Sequence, residues 1–226
     1  RARVLADEPK VSRYKDTNRM ISTWDRMYVL PEDLSYEPDY PDSVGGIAEA
    51  KGIHVREALM DAMAAGRPIL FLLGGDNGKL ETQRERIENE LSVFGLSDGG
   101  AHCGALCDAS VPTYMLAYFC RDRTRGPKMA LEFTVHKMTQ DTALLYGLTD
   151  RGVIAPGYRA DLNLIDFDHL ALEDPQMVYD LPAGGKRLIQ GAKGYLATIC
   201  AGEVTFRNGE PTGAMPGRLI RGGAIA

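Results

Sequence analysis

The chain has 226 residues, 44% of them apolar and 25% charged, which is the balance of a globular protein and excludes a disordered or fibrous one. Its formal net charge is −5, with 26 Lys and Arg scattered among 31 Asp and Glu, so nothing favours binding to a nucleic-acid backbone. No apolar run approaches the ~18 residues that cross a bilayer, and Arg1–Asp7 has neither a signal-peptide core nor a transit-peptide pattern, so no membrane partner and a cytoplasmic location are expected.

In chain order, residues 1–25 read as the end of a helix running into a polar connection, and Trp24–Leu30 as a strand with alternating large side chains. Pro31, Pro38 and Pro41, with acidic residues between Glu32 and Asp42, mark an exposed excursion, read as a solvated loop or a lid. Ser43 is placed to cap a helix starting at Val44, and a second helix runs from Val55 to about Ala65, stopped by Gly66 and Pro68. The five-residue apolar run Ile69–Leu73 fits a strand buried on both faces. Gly74–Lys79 only superficially resembles a phosphate loop, because its spacing is wrong, and it reads as a turn.

A polar helix from Lys79 to Leu91 then leads to a short apolar strand, Val93–Ser97, which predicts a βαβ unit with parallel strands and places the chain in the α/β class. Asp98 follows, with Gly99 and Gly100 allowing a sharp turn that leaves space beside its carboxylate. A carboxylate where a barrel strand ends reads as chemistry; the alternative is a helix cap or an Asx turn. His102, four residues on, either contacts substrate or orients Asp98, or is part of the loop's own structure.

Cys103, Cys107, Cys120 and Cys200 are too few and too irregular for a disulfide framework, so reduced thiols are expected. A closed zinc site built on His102, Cys103 and Cys107 lacks a second ligand pair, and small packing cysteines are favoured. A cysteine hydrolase with Cys103 or Cys107 as nucleophile and His102 or His136 as base ranks below the carboxylate reading, because neighbouring side chains rarely face each other. Helices are predicted over Thr113–Arg121 and Ala130–Met138, the latter making His136 a partly buried structural residue. Thr139 would cap a further short helix closed by Gly147, and His54 and His169 have no evident partners. From Gly152 the texture becomes strand-rich: 160–168, Tyr195–Cys200 and Glu203–Arg207 read as strands, with Ala201-Gly202 and Asn208-Gly209 as turns.

Leu96–His102, Gly147–Leu162, Gly202–Val204, Asn208–Ala214 and Pro216–Arg218, in that order, resemble the C-terminal part of metal-dependent amidohydrolases, in particular the N-acyl-D-amino-acid deacylase branch. The resemblance implies the end of a (β/α)8 barrel over residues 1–147, with a cap-like insertion near 31–66, followed by strands of a small β-sandwich over 148–226. It implies hydrolysis of a small-molecule amide with one or two zinc ions. Asp98, after the eighth barrel strand, would be the general acid/base and a metal ligand, and Gly99, Gly100 and His102 would lie against substrate. Two departures stand out. The family's other metal ligands, including its HxH pair, belong to a part of the barrel that precedes this region, and nothing in this sequence replaces them. Members acting on acylated D-amino acids also hold the substrate carboxylate with an arginine in the loop after the Asp, whereas Gly100–Val111 has none and Arg121, Arg123 and Arg125 come after the next helix. A second expectation therefore stands beside the enzyme: an incomplete or split piece that works as a scaffold, as a homo-oligomer, or with a complementing N-terminal segment.

Overall fold

The computed structural model describes residues 2–7, 13, 18, 22–31, 36–66, 69–71, 79–95, 97 and 102–220. Its chain divides into two compact units, Arg1–Arg86 and Ile87–Ala226. Among the described residues no helix is long and apolar enough to cross a membrane.

The first unit carries α1 (Ala2–Ala6), β1 (Met27–Val29), α2 (Val44–Lys51), α3 (Val55–Ala64) and β2 (Ile69–Phe71). Ser43 has extended backbone angles and its hydroxyl accepts from the Gly46 N–H at 2.9 Å, so α2 starts where the sequence places it. His54, without a partner in the sequence reading, caps α3 by accepting from the Arg56 N–H through Nδ1 at 3.2 Å. Met27, Val44, Ala48 and Ala58 form the buried core, with Trp24, Ile47, Leu59 and Ile69 packed against it.

Two expectations fail here. β2 pairs antiparallel with β1, Met27 opposite Phe71, and not with the 93–97 segment as its parallel neighbour. Two helices separate β1 from β2, and a chain that reverses at each connection returns antiparallel after two helices, whereas a single crossover helix returns it parallel. Val93–Gly95 and Ser97 form no strand; Leu91 is 97% and Val93 40% exposed, and without a neighbouring ladder an apolar run has no reason to extend. The acidic excursion is also less open than its composition suggests. Glu37 is 1% exposed, and its carboxylate accepts from the Leu80 N–H at 2.7 Å.

Gly46 shows how tightly the α2 entrance is made. A Cβ there would stand 2.3 Å from the Tyr40 carbonyl oxygen and 2.8 Å from Pro41 Cα, both backbone. Gly46→Ala is therefore expected to lower stability by about 1–3 kcal/mol, read as a drop in denaturant midpoint at unchanged m; an unchanged midpoint would show that this entrance gives way freely.

In the second unit, α4 (Glu81–Glu88) reaches the boundary, and α5 (Val111–Tyr114) runs on into a π-helical stretch, Met115–Asp122. α6 (Leu131–His136), a π-helical turn at Lys137–Asp141 and α7 (Thr142–Leu145) make one continuous helical rod. Thr139 does not cap: its hydroxyl donates back to the Val135 carbonyl at 2.7 Å, the bond a threonine makes inside a helix. Gly147, at φ +70°, does end the rod, with the Leu148 N–H reaching the Ala143 carbonyl at 2.8 Å. Buried Lys137 donates to the Asn89 carbonyl at 2.6 Å and lies over the Phe133 ring.

The rest is antiparallel sheet. β3 (Leu162–Ile165), β8 (Tyr195–Cys200), β9 (Glu203–Arg207) and β10 (Glu210–Pro211) form one sheet in the order β10-β9-β8-β3. β4 (Ala171–Leu172) pairs with β7 (Ala192–Lys193), and β5 (Gln176–Leu181) with β6 (Gly185–Ile189). Ala201 and Gly202 have φ of +51° and +85°, and Asn208 and Gly209 +49° and +84°, the paired positive values of type I′ hairpin turns. Burial pushes the Asp161 carboxyl up, but the Ala201 N–H at 2.8 Å and the Arg159 guanidinium outweigh it and hold the group below the ordinary range. Leu170, at 0% exposure, closes a core with Leu116 and Ala117, and Ile165, Phe167 and Tyr195 pack around it.

Candidate functional site

Asp98, Gly99 and Gly100 lie outside the described residues, as does the Leu72–Gly78 turn. What the structure describes is the loop that follows them, residues 102–110, and its attachment. His102 opens a tight turn in which its carbonyl accepts from the Ala105 N–H at 2.9 Å, and its side chain is exposed. Four residues span at most about 14 Å, so this turn sits within that reach of Asp98. Next, the Cys103 carbonyl accepts from the Leu188 N–H of β6 at 2.7 Å, so the loop lies along the edge of that strand. Ser110 ends a 3-10 turn, Asp108–Ser110, and its hydroxyl is 2.6 Å from Oε1 of Gln190. The other end of the Gln190 amide donates to the Glu173 carbonyl at 2.9 Å. Nothing in the sequence signals this contact, which joins residues 80 positions apart.

The thiols read as packing residues. All four are unbridged and partly buried. Burial and the neighbouring Asp108 push the Cys107 thiol up, and burial pushes Cys120 up against a hydrogen bond with Thr134. Both shifts oppose the thiolate that a nucleophile needs. His136 is exposed rather than partly buried, because it lies on the outer face of its rod, where Nδ1 stands 3.2 Å from Asp141. His169 pairs with Asp166 at 2.9 Å.

The arginines after α5 are also committed. Arg121 donates to the Leu170 carbonyl at 2.7 Å and to the Phe167 carbonyl, and lies over the Phe167 ring. Arg123 is 1% exposed, donates to the Pro127 carbonyl at 2.9 Å and stacks 5.4 Å over Phe119. Neither presents its guanidinium to a substrate carboxylate.

Among the described residues, no group of three or more His, Cys, Asp or Glu side chains could hold a metal ion. His54, His136 and His169 are engaged in helix capping or carboxylate pairs, so the zinc implied by the resemblance does not fit the ligands present.

The model of the amidohydrolase family matches residues 55–206, two thirds of the chain, across both the Asp98 segment and most of the strand-rich region. This chain belongs to the amidohydrolase family. It is similar to an N-acyl-D-aspartate deacylase from Alcaligenes xylosoxydans xylosoxydans, at 38% identity over 96 residues, or 42% of this chain and 17% of that protein. Among solved structures, it is similar to a D-aminoacylase described as defining a novel subset of amidohydrolases, with a TM-score of 0.43 and 25% identity over 76% of this chain and 33% of the other. It is also similar to a D-aminoacylase described with a binuclear metal center, at the same TM-score and coverage and 23% identity. The matched part is thus a third or less of these amidohydrolases' own length.

Proposed function

We propose that this chain is part of an enzyme that hydrolyses an N-acyl amino acid or a related amide, with Asp98 as its general acid/base. The observation that carries this reading is the family match over residues 55–206, which includes Asp98 and its two glycines. In this reading residues 1–147 are the end of the (β/α)8 barrel with the cap-like insertion at 31–66, and 148–226 contribute strands to the β-sandwich.

The Asp98 carboxylate takes a proton from the attacking water as the new C–O bond forms, then hands it to the departing nitrogen as the C–N bond breaks. Gly99 and Gly100 leave backbone N–H groups and open space beside the reacting carbonyl, and His102 borders the substrate. No step of this sequence passes through a metal, because the described residues offer no ligand set; Asp98 as a ligand, and zinc itself, rest on the family resemblance alone.

The similarity to an N-acyl-D-aspartate deacylase supports acylated amino acids as the substrate class. Incubating the purified protein with N-acetyl-D-aspartate and N-acetyl-L-aspartate and measuring free amine tests this. Turnover of the D form well above the L form is expected; no amine from either would contradict the reading. That outcome would favour the second one, a scaffold or split piece that needs a complementing segment or a second copy, which the missing ligand set supports.

A further inference from the structure

We propose that Gln190 is a positioning residue, whose side-chain amide fastens the loop following Asp98 to the connection between β6 and β7 and so fixes where that carboxylate's loop can go. The inference rests on the reading of Asp98 as the acid/base.

The orientation of the amide follows from its neighbours. The Glu173 carbonyl can only accept, so it takes the NH2 end at 2.9 Å, which leaves Oε1 facing Ser110. A serine hydroxyl has one proton. Ser110 Oγ has two acceptors, Gln190 Oε1 at 2.6 Å and the Cys107 carbonyl at 3.2 Å, and the shorter contact takes it. The Cys107 thiol adds a weak contact to the same Oε1 at 4.0 Å. One side chain therefore serves both the loop and the sheet.

The sheet end is itself rigid. The Glu173 N–H donates to the Gly191 carbonyl at 2.9 Å, next to the β4–β7 pair, and a Cβ on Gly191 would stand 2.3 Å from a Glu173 carboxylate oxygen. At the loop's start, the bond from the Leu188 N–H to the Cys103 carbonyl is a second anchor on the same strand edge. Beyond Ser110, Thr113 is 7% exposed and its hydroxyl meets the Tyr195 hydroxyl at 2.8 Å. The loop is thus held at Cys103, at Ser110 and at Thr113, each time by a residue from beyond 180, and Gln190 is the one of these ties that bridges two backbone segments through a single side chain.

The test compares Gln190→Ala, Ser110→Ala and Ser110→Thr in the full protein by hydrogen exchange and by steady-state kinetics on N-acetyl-D-aspartate. Gln190→Ala removes two hydrogen bonds, and amides in 102–110 are expected to exchange roughly tenfold or more faster while those of β8 and β9 keep their rates. kcat should fall about ten- to a hundredfold, from displacement of the reacting group, with KM nearly unchanged. Ser110→Ala removes only the loop end of the tie, guards against a Gln190 variant that fails to fold, and should show the same pattern more weakly. Ser110→Thr keeps the hydroxyl and should restore both readouts. Unchanged exchange in 102–110 for Gln190→Ala and Ser110→Ala would overturn the anchor, and faster exchange with an unchanged kcat would overturn the positioning role. Failure of the underlying reading shows separately, as an Asp98→Asn variant as active as the parent.

Discussion

Asp98→Asn is expected to lower kcat by about two to four orders of magnitude, the range that a positioned general acid/base contributes, while the melting temperature stays close to that of the parent. The amide has the shape of the carboxylate but can neither take the proton of the attacking water nor return it to the leaving nitrogen. The same substitution separates the two readings of this residue. As a helix cap or in an Asx turn, asparagine serves about as well as aspartate, so a purely structural Asp98 leaves activity near the parent level. Steady-state rates on N-acetyl-D-aspartate together with a thermal melt decide between them: loss of turnover at constant stability supports the acid/base, and retained turnover removes Asp98 from the chemistry.

Leu170→Ala should be the most damaging core substitution in the second unit. Leu170 is 0% exposed and packs on Leu116 and Ala117 of the long helix, with Leu131, Met138, Ile165, Phe167 and Tyr195 around them. Its backbone is held as well, because Arg121 donates to its carbonyl at 2.7 Å, and Gly194, whose Cβ would stand 2.7 Å from Leu170 Cα, closes the other side. Backbone fixed on two sides cannot collapse to fill the space of three lost carbons and a methine, so the cost belongs in the upper part of the range of about 2–5 kcal/mol. For a unit of this size that is a fall of very roughly 10 °C in Tm, measured by calorimetry. A loss under about 1 kcal/mol, of the size seen at tolerant surface sites, would show that this core relaxes and that Arg121 does not hold it.

What the sequence revealed was local. Ser43 capping α2, Gly147 closing the long rod and the Ala201-Gly202 and Asn208-Gly209 turns were legible because a few adjacent residues decide each of them. β8 and β9 were legible for the same reason, being two β-rich runs flanking one such turn. The parallel partner proposed for Ile69–Leu73 was not, since an apolar run announces burial without saying which strand lies beside it, and β1 turned out to be that neighbour. His54 and His169 seemed unpartnered because their contacts, an N-cap and an i−3 carboxylate, leave no mark on hydrophobic periodicity. At the candidate site, the string around Asp98 was visible as a motif, and His102 lies in the described turn beyond it. The tie from Ser110 to Gln190 was invisible, because a glutamine between two short strands looks like any polar loop residue until the sheet folds it against a loop 80 positions earlier.

Hydrolysis carried out in water enriched in 18O tests the account most directly, with N-acetyl-D-aspartate as substrate and the released acetate analysed by mass spectrometry. One 18O atom in the acetate of each turnover is expected, because the new C–O bond comes from solvent water activated at Asp98. Amine release without label in the acetate, or no release at all from the complete protein, would contradict it.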